Sequence, residues 1–291
     1  MKFKTFSFDS RIGDKNFPLR LVRMAPQNSI DELHNHQFTE LVIVYEGEGD
    51  HYTSETNYTH LSRGNVFIVP QEKVYHRYDN LKNLCLVNIL FEKKLLPLPL
   101  LDIFTMPGFN ILFNDKINAT NSGFDIFSIK EKELSRLLEH IDELELLLKK
   151  RNSGYQFASI SLFMRIMYLL SKAIDNNQAT VVPSKLNISK GIGFLHSHFC
   201  EKNLTIEKVA SVANMSMSTL LRHFKQQIGS SPKEYLLKLR IKYACEMLFA
   251  SYLDISEISM RCGFEDSNYF SRIFKRVTKS SPREFRKNQQ Q

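Results

Sequence analysis

Two histidines and one glutamate lie close together in the stretch LHNHQFTELVIVYEG, as His34, His36 and Glu40. Successive side chains of an extended strand point to opposite faces, so these three even-numbered residues point to the same face. A further imidazole, His76, follows the apolar run GNVFIVP. Imidazoles and a carboxylate can bind iron or zinc, and they can also hydrogen bond to a hydroxyl-rich ligand. The pattern predicts a polar cluster inside a sheet-rich domain.

Three interpretations of this cluster are open. In a metal-dependent enzyme, His34, His36, Glu40 and His76 would be the ligands of a divalent ion. In a metal-free effector pocket, the same residues and Tyr45 would bind a small molecule, with His51 and Arg23 as further candidates for the pocket wall. In the third interpretation the histidines form only structural hydrogen bonds.

The elements that position the cluster are predicted to be strands. Between about residues 17 and 92, short runs rich in Val, Ile, Tyr and Phe alternate with Gly, Asp and Asn, which is typical of an all-β barrel or sandwich. The stretch LLPLPLLDIFTMPGF mixes apolar residues with prolines and predicts a packed connection. We expect a β-barrel over residues 1–128.

From Lys130 the apolar residues follow a helical period. Leucine and isoleucine recur every three or four residues in EKELSRLLEHIDELELLLKK, and YQFASISLFMRIMYLLSKAI follows after the break NSG. Residues 129–174 are therefore predicted to form two amphipathic helices that pack on the barrel, on each other or on a second subunit. Residues 175–187 are polar, contain proline and predict a linker.

The C-terminal third contains an internal repeat. The segment STLLRHFKQQIGSSPKEY returns fifty residues later as SNYFSRIFKRVTKSSPREF, with Arg222 aligned on Arg272. Each copy is predicted to hold two short helices and a tight turn, with Thr205 and Ser216 as N-caps in the first copy and Asp254 in the second. Two short helices joined in this way are typical of a helix-turn-helix, at about residues 205–228 and 255–278.

The second helix of a helix-turn-helix lies in the major groove of DNA. Its outward-facing residues are therefore the candidate DNA contacts, which are Met217, Ser218, Thr219, Arg222, His223 and Lys225 in the first copy and Ser267, Asn268, Arg272, Lys275 and Arg276 in the second. Asn suits adenine and Arg suits guanine, whereas Lys275 and Arg276 near the helix end suit phosphate.

A connecting helix is predicted between the copies. From Pro232 to Leu248 it would span roughly 25 Å at 1.5 Å per residue. With the width of each module added, the two recognition helices could lie about one DNA turn apart, some 34 Å. One chain would then contact two successive major grooves, as a dimer of single modules does.

The charge distribution favours the same interpretation. From Lys185 onward the chain has 18 Lys and Arg against 9 Asp and Glu, whereas the remainder has 21 against 22. The net charge of +8 thus lies in the C-terminal third, which predicts a polyanionic partner. The four cysteines are widely spaced, and no signal peptide or run of about 18 apolar residues is evident, so we expect a cytoplasmic protein without a membrane anchor.

These features resemble the AraC/XylS family of bacterial transcription regulators, over roughly residues 191–287. The resemblance is carried by LTIEKVASVANMSMSTLLRHFKQQIGSSPKEYLLKLRIKYACEML and more specifically by DISEISMRCGFEDSNYFSRIFKRVTKSSPREFRK. Lys279 departs from the glycine usual in the family, which Gly229 keeps in the first copy. The resemblance implies sequence-specific promoter binding and contact with RNA polymerase, usually as an activator.

The spacing H-x-H-x3-E-x6-G from His34 to Gly47 is similar to the first cupin motif, whose two histidines and glutamate bind a divalent ion in metal cupins, together with one later histidine. The second motif departs from the pattern, since Gln71 and Glu72 follow Pro70 and His76 lies one position late. A sensor needs a pocket and not a reaction, so the attached DNA-binding module favours an effector pocket without metal or other cofactor. Family members with this barrel commonly bind sugars.

The prediction is an α+β protein with a cupin-like barrel (1–128), a helical dimerisation segment (129–174), a linker (175–187) and a DNA-binding domain with two helix-turn-helix motifs and a linker helix (188–291). We expect a transcription regulator, not an enzyme, that binds double-stranded DNA, a carbohydrate-type effector, RNA polymerase and a second copy of itself. The alternatives are a metal-dependent cupin enzyme with an accessory DNA-binding module and a ligand-independent regulator.

Overall fold

The computed structural model of the protein describes residues 4–6, 17, 19–24, 33–71, 75–93, 102–120, 123–178 and 181–289. The chain divides into two compact units. Unit 1 comprises Met1–Leu98 and Gly108–Val182, and unit 2 comprises Pro99–Pro107 and Pro183–Gln291. Unit 1 is rich in sheet and unit 2 is helical, which confirms the predicted α+β class.

The described strands all lie in unit 1. They are β1 Lys4–Phe6, β2 Leu19–Met24, β3 His34–His36, β4 Thr39–Tyr52, β5 Tyr58–Ser62, β6 Asn65–Val69, β7 Arg77–Phe91, β8 Ala119–Thr120, β9 Gly123–Phe124 and β10 Ile126–Ser128. Within the described ranges, the main sheet has the order β10-β6-β4-β7-β2, and β5 pairs with β4. β1 pairs in parallel with β3, and β8 pairs with β9.

The long antiparallel strands β4 and β7 form the centre of this sheet. Their runs Leu41–Val44 and Leu86–Phe91 are buried on both faces, and every residue in them is apolar except Asn88, which is buried too. One face is covered by helix, as the contact between the rings of Phe91 and Phe163 shows at 5.0 Å. The other face encloses the interior where the predicted polar cluster lies.

Irregular pairing changes which side chains of β4 face the interior. The register against β7 shifts three times between Val44 and Asp50. Before the shifts, even-numbered residues such as His36 and Glu40 face the interior. After the shifts the odd-numbered His51 faces inward, because a bulge that adds a residue to one strand inverts the alternation.

The described helices of unit 1 are α1 Pro107–Phe113, which begins at the boundary between the units, α2 Asp115–Asn118, α3 Glu131–Lys150 and α4 Tyr155–Asn176. The long helices α3 and α4 match the predicted pair and pack on each other. By length and composition alone α4 could cross a membrane, a test that core helices of soluble proteins also pass. Its apolar face, which includes Phe163 and Leu170, is buried within unit 1.

Unit 2 contains α5 Pro183–His198, α6 Ile206–Val212, α7 Met217–Ile228, α8 Pro232–Ala250, α9 Ile255–Arg261, α10 Ser267–Thr278 and α11 Pro282–Gln289. The predicted linker, residues 175–187, is wrong at both ends, because α4 continues to Asn176 and α5 begins at Pro183. Proline fits the first turn of a helix, where its missing N–H group has no partner to lose.

A short segment from the predicted barrel belongs to unit 2. Asp102–Thr105 forms a 3-10 helix, and the ring of Phe104 stacks on His196 of α5 at 4.9 Å. At Gly193 a Cβ atom would lie 2.5 Å from the carbonyl oxygen of Thr105, so only glycine allows this approach. The predicted domain 1–128 therefore included residues that fold with the C-terminal unit, and residues 95–101 of the predicted connection lie outside the described residues.

Candidate effector cavity and nucleic-acid interface

A small cavity lies inside unit 1. Its volume is about 60 Å³, and its lining residues are Phe6, Val22, Met24, His34, His36, Phe38, Glu40, His76, Tyr78, Asn88 and Leu90. All four predicted polar residues that share this lining, His34, His36, Glu40 and His76, are buried. Strand alternation thus placed these side chains on the correct face.

Short contacts connect the imidazoles. His36 Nε2 lies 3.0 Å from His76 Nε2, and His51 Nε2 lies 2.9 Å from His76 Nδ1. The Glu40 carboxylate oxygen Oε2 is 3.6 Å from His36 Nε2 and 3.9 Å from His76 Nε2. A backbone bridge holds the strands in place, since the N–H groups of His34 and His76 donate to each other's carbonyl oxygens at 3.1 and 2.8 Å.

Burial controls the protonation of this cluster. Burial, with the neighbouring His34 as a smaller cause, lowers the pKa of His51 to about 3. Burial and the adjacent imidazoles also hold the pKa of His76 well below its usual value. Burial and the Glu40 charge raise the pKa of Tyr78 well above its usual value. At neutral pH, His51 and His76 are therefore uncharged and Tyr78 keeps its proton.

Two further polar atoms in the cavity have no hydrogen-bond partner in the described part of the chain. They are the hydroxyl oxygen of Tyr78 and the side-chain oxygen of Asn88. An unsatisfied buried polar atom costs about 1–3 kcal/mol, so a site with such atoms is suited to a ligand that satisfies them. Neither residue was predicted from sequence, although both share with His76 the inward parity of β7.

Tyr45 and Arg23 do not line the cavity, which corrects the predicted pocket wall. Tyr45 is odd-numbered, whereas His36 and Glu40, which face the interior, are even-numbered. It lies within the stretch from Val44 to Asp50 where the register shifts. The Arg23 guanidinium lies over the Tyr45 ring at 5.5 Å, donates from Nε to Glu145 Oε2 at 2.7 Å and also pairs with Asp142. These two residues join the sheet to α3. His51 contacts the cluster through His76.

The donor chemistry of the cluster also fits a metal ion. The ligand nitrogens of His34, His36 and His76 all lie within 4.8 Å of one another. Imidazole nitrogens with a carboxylate oxygen are a donor set that zinc, iron and other divalent transition ions accept.

In unit 2, helix caps define the first helix-turn-helix. The Thr205 hydroxyl accepts from the backbone N–H of Lys208 at 3.4 Å and begins α6, and the Ser216 hydroxyl accepts from Thr219 N–H at 3.3 Å and begins α7. Both caps were predicted. Asn214, in the turn between the helices, has a positive φ of 49°. The cap satisfies N–H groups that have no partner within the first helical turn.

The second motif differs in its caps. Asp254 occupies the predicted N-cap of α9, but its side chain makes no capping hydrogen bond. At the start of the next helix, α10, the side chain of Asp266 does form a cap, because it accepts a hydrogen bond from Tyr269 N–H. Gly263 adopts a φ of 81° in the turn, where a Cβ atom would lie 2.7 Å from the carbonyl oxygen of Phe199. The predicted turn at this position therefore requires glycine, since a larger residue would clash with the Phe199 carbonyl.

The repeated SSPxE sequence has a structural cause. In the first copy, Ser231 N–H donates to Glu234 Oε2 at 2.8 Å, and Glu234 N–H donates to the Ser231 hydroxyl at 3.2 Å. Ser281 and Glu284 form the same reciprocal pair at 2.7 and 3.2 Å. Both are capping boxes, each of which begins the helix after a recognition helix.

The packing behind the recognition helices is also duplicated. The Phe224 ring meets Tyr235 edge-on at 5.6 Å, and the Phe274 ring meets Phe285 edge-on at 5.5 Å. In both copies an aromatic residue of the recognition helix thus packs against the helix that follows it. The internal repeat is therefore a repeat of structure as well as of sequence.

The predicted DNA contacts lie at the surface of these helices. Ser218, Arg222, Lys225, Ser267, Asn268, Arg272, Lys275 and Arg276 are exposed, whereas Met217, Thr219 and His223 are half-buried. Two apolar residues of α10, Tyr269 and Val277, are also exposed. The guanidinium of Arg272 lies over the Tyr269 ring at 5.7 Å, and this contact with an exposed aromatic ring orients the guanidinium.

Two known family models match the chain, each mainly in one of its two units. Residues 209–288 match a helix-turn-helix domain, and residues 19–167 match an AraC-like ligand binding domain. The chain belongs to the AraC family of transcription regulators. Its N-terminal unit is thus a ligand-binding domain, and its C-terminal unit is a DNA-binding domain.

The chain is similar to proteins described as transcriptional activators, and the similarity extends over nearly the whole length of both chains. This AraC-family chain is 31% identical to the HTH-type transcriptional activator RhaS of Enterobacter sp. (strain 638), over 92% of each chain. It is also 31% identical to the activator RhaS of Mannheimia succiniciproducens, over 94% of this chain and 96% of that one. Among solved structures, the C-terminal domain of AraT from Geobacillus stearothermophilus is 34% identical, over 35% of this chain and 84% of that one, with a TM-score of 0.34.

The DNA-binding domain of this AraC-family chain has a cationic groove that sequence analysis missed. The groove has a volume of about 670 Å³ and is lined by Asp254, Ile255, Ser256, Ser267, Asn268, Ser271, Ser281, Pro282, Arg283, Arg286 and Lys287. Arg283 and Lys287 are exposed, and neither forms an ion pair with any described residue. Their spacing of four places them on one face of α11, a signal that the sequence did contain.

Arg240 of the linker helix α8 is the other residue that the sequence analysis missed. It is buried, and it donates from Nε to the Phe199 carbonyl at 2.7 Å and from Nη2 to the Glu201 carbonyl at 2.8 Å. Its guanidinium also lies over the ring of Phe264 at 5.6 Å, in the turn of the second motif. One cation therefore fixes the end of α5 and the second helix-turn-helix to the linker helix of this AraC-family chain.

Proposed function

We propose that the chain is a sequence-specific transcription activator controlled by a carbohydrate-type effector in the cavity of unit 1. The observation that carries the proposal is the presence of two helix-turn-helix motifs in one unit, whose recognition helices are both capped by a side chain and both carry exposed cations. The proposal is supported by relatives that are described as transcriptional activators over more than nine-tenths of this chain.

On DNA, α7 and α10 enter successive major grooves. Arg272 and Asn268 contact base edges in the second half-site, and Arg222 has the equivalent place of Arg272 in the first. Lys275 and Arg276 lie near the end of α10 and contact phosphate. Among described residues, the side chains of Arg222, Arg272, Lys275 and Arg276 form no ion pair, so phosphate and base edges can satisfy them.

Arg283 and Lys287 extend this surface. They line the same groove as Ser267, Asn268 and Ser271 at the start of the recognition helix α10. A phosphate bound to these cations fixes the depth and angle of the recognition helix without reading sequence.

The effector contacts His34, His36, Glu40 and His76, together with Tyr78 and Asn88. Their donors and acceptors lie beside an apolar wall of Phe6, Val22, Phe38 and Leu90, which is the composition expected of a sugar site. The cavity of about 60 Å³ is smaller than the roughly 300 Å³ at the lower end of ligand pockets. We expect effector binding to enlarge the cavity and so to favour a conformation other than the one described here.

The regulator works as a cytoplasmic homodimer that contacts RNA polymerase at the promoter and catalyses no reaction. Helices α3 and α4 form the dimer contact. They carry two exposed apolar side chains, Leu146 with 49% and Phe157 with 80% of its surface accessible, which association would cover.

Selection of bound duplexes from a random DNA pool tests this function. The full-length protein is used with and without each member of a panel of monosaccharides. The proposal predicts one enriched site with two half-sites and a change in its affinity with one class of sugar. Enrichment of no sequence contradicts the DNA-binding function, whereas a site that every sugar leaves unchanged contradicts only the effector class.

A further inference from the structure

A short piece of the ligand-binding half of the chain folds into the DNA-binding unit. The 3-10 helix Asp102–Thr105 belongs to unit 2, whereas the chain belongs to unit 1 up to Leu98 and again from Gly108. The stretch that matches an AraC-like ligand binding domain, residues 19–167, includes this helix. We call Asp102–Thr105 the strap. The DNA-binding unit is therefore built in part from residues that the N-terminal half supplies.

The strap is fixed to α5 by a ring and by its backbone. The Phe104 ring stacks on His196, with the ring centres 4.9 Å apart and the planes 13° apart. Lys242 of α8 places its Nζ atom 6.0 Å from the centre of the same ring, at the limit of a cation–π contact. The Thr105 carbonyl approaches Gly193 so closely that a Cβ atom there would lie 2.5 Å from its oxygen. The strap thus packs against two helices of unit 2.

A series of contacts leads from the strap to the recognition helix α7. His196 Nε2 lies 3.0 Å from the hydroxyl oxygen of Tyr235 in α8. The Tyr235 ring in turn meets the Phe224 ring edge-on at 5.6 Å. Phe224 lies on the buried face of α7, and Arg222 lies on the exposed face of the same helix. Three contacts therefore connect Phe104 with the helix that carries the DNA contacts of the first motif.

The second motif differs at the residue where this series leaves the aromatic pair. Its counterpart of Tyr235 is Phe285, which meets Phe274 edge-on at 5.5 Å. Phenylalanine has no hydroxyl group, so the hydrogen bond that continues to His196 in the first motif has no equivalent at Phe285. The two copies thus share their aromatic packing and differ in the one group that links this packing to the helix under the strap.

The chain that follows the strap is held by α4 of unit 1. Gly108 N–H donates to Asp175 Oδ1 at 2.7 Å, and a Cβ atom at Gly108 would lie 2.1 Å from the carbonyl oxygen of Ser171. Only Met106 and Pro107 separate Gly108 from the strap. Because the connection has little slack, a shift of α4 pulls directly on the strap.

We propose that the strap holds α7 in its DNA-binding position and that, through it, changes in unit 1 alter the affinity for the first half-site. Phe104 is a positioning residue, because it acts on α7 through His196 and Tyr235. The inference rests on the DNA-binding function proposed above. It deepens that function by naming the segment through which the ligand-binding unit acts on one of the two motifs.

Affinity for separate half-sites tests the role of Phe104. The full-length protein is titrated with two duplexes derived from its selected site, each with one half-site replaced by unrelated sequence. The first half-site is the one whose binding Arg222→Ala weakens. Phe104→Ala should weaken binding to the first half-site by about 2–10-fold, the factor for one aromatic contact, and leave the second unchanged. Phe104→Tyr keeps the ring and should restore the affinity.

The matched control removes an aromatic ring of unit 2 that is outside this series of contacts. Phe249 of α8 has 70% of its surface accessible, so Phe249→Ala should leave both half-site affinities unchanged. An equal loss at both half-sites in Phe104→Ala would show only a general loss of stability and would overturn the proposal. Unchanged binding to the first half-site would overturn it as well.

Hydrogen exchange of the full-length protein without DNA gives a result that needs no binding site. Phe104→Ala should accelerate amide exchange in α5 and α7 and leave α10 unchanged, because fewer contacts then oppose local opening. Phe104→Leu keeps an apolar side chain and should show a smaller change. Asp175→Ala releases the anchor at Gly108 and should accelerate exchange in α5 and α7 too.

Two failures of the proposal are distinct in this experiment. Unchanged exchange of α7 in Phe104→Ala overturns the role of the strap as a support. Unchanged exchange in Asp175→Ala alone overturns its role as the connection to unit 1. If the unaltered protein enriches no sequence from a random DNA pool, the DNA-binding function is contradicted, and the exchange data still decide whether the strap supports α7.

Discussion

Gly229 and Lys279 hold equivalent positions at the ends of the recognition helices α7 and α10, and both adopt a left-handed backbone with φ of 79° and 69°. The N–H of each donates to a carbonyl four residues earlier, Lys225 for Gly229 and Lys275 for Lys279. Lysine thus takes a conformation that favours glycine, and the turn is kept. The departure of Lys279 from the family pattern changes the energy of this turn and not its shape.

Exchange of the residue types at these two positions should have opposite effects on stability. A residue with a Cβ atom in the left-handed region costs about 1–2 kcal/mol, of which the greater freedom of unfolded glycine offsets up to about 1 kcal/mol. Lys279→Gly should therefore raise the free energy of unfolding by about 0.5–1 kcal/mol, and Gly229→Lys should lower it by a similar amount. Urea denaturation measures both. A loss of stability in Lys279→Gly would show that the lysine side chain has a contact this account lacks.

Arg272 is expected to read a base. Its position on the exposed face of α10, oriented by Tyr269, suits bidentate contact with guanine. Arg272→Ala should cost about 1–3 kcal/mol at the selected site and relax the base preference at one position. Competition binding against single-base variants of the site measures this. Equal weakening of all sequences would instead identify Arg272 as a phosphate contact.

Lys275 and Lys287 are expected to contact phosphate. Each lysine that neutralises a phosphate adds close to one unit to the slope of log affinity against log salt, so Lys275→Ala and Lys287→Ala should each reduce the slope by about one. Base preference should stay the same in both variants. Lys149→Ala is the control, since Lys149 lies in unit 1 and pairs with Glu145 at 2.7 Å. An unchanged slope in Lys287→Ala would remove α11 from the DNA interface.

Acid should destabilise unit 2 through His196. Burial, with a smaller contribution from the Lys242 charge, lowers the pKa of His196 to about 4, and its Nε2 lies 3.0 Å from the Tyr235 hydroxyl. A lowered histidine pKa means that the unfolded chain binds the proton more tightly. The free energy of unfolding is therefore not reduced by His196 above about pH 6.5. It falls by up to about 3 kcal/mol as the pH decreases from 6.5 towards 4.

The variant His196→Phe isolates this effect. The difference in unfolding free energy between pH 7 and pH 5 should be smaller in His196→Phe than in the unaltered protein. The transition of unit 2 is identified by its shift on addition of DNA. In contrast, His60→Gln should keep the full acid sensitivity of unit 2, because His60 lies at the surface of unit 1. The same pH dependence in both proteins would show that His196 does not titrate in this range.

Strand alternation predicted much of the cavity, but only where the pairing is regular. The shared parity of His34, His36 and Glu40 was correct because β3 and the first half of β4 contain no bulge. The register shifts after Val44 depend on pairing with β7, a partner about forty residues away, so the inward turn of His51 could not be deduced from local sequence.

Helices were predicted where one face is polar and missed where none is. The helix α1, PGFNILF, has six of its seven residues buried, so it has no amphipathic period to detect. The caps Thr205 and Ser216 were predicted correctly because capping depends on residues only three positions apart. The contacts of Arg240 with Phe199 and Glu201 join parts of the chain about forty residues apart, which no local pattern indicates.

The central claim is that one chain places two unlike recognition helices in successive major grooves. Hydroxyl-radical footprinting of the full-length protein on its selected site tests this most directly. The account predicts two protected regions on one face of the duplex, about 10–10.5 base pairs apart, with the one nearer α10 lost in Arg272→Ala. A single protected region, or two on opposite faces, would contradict it.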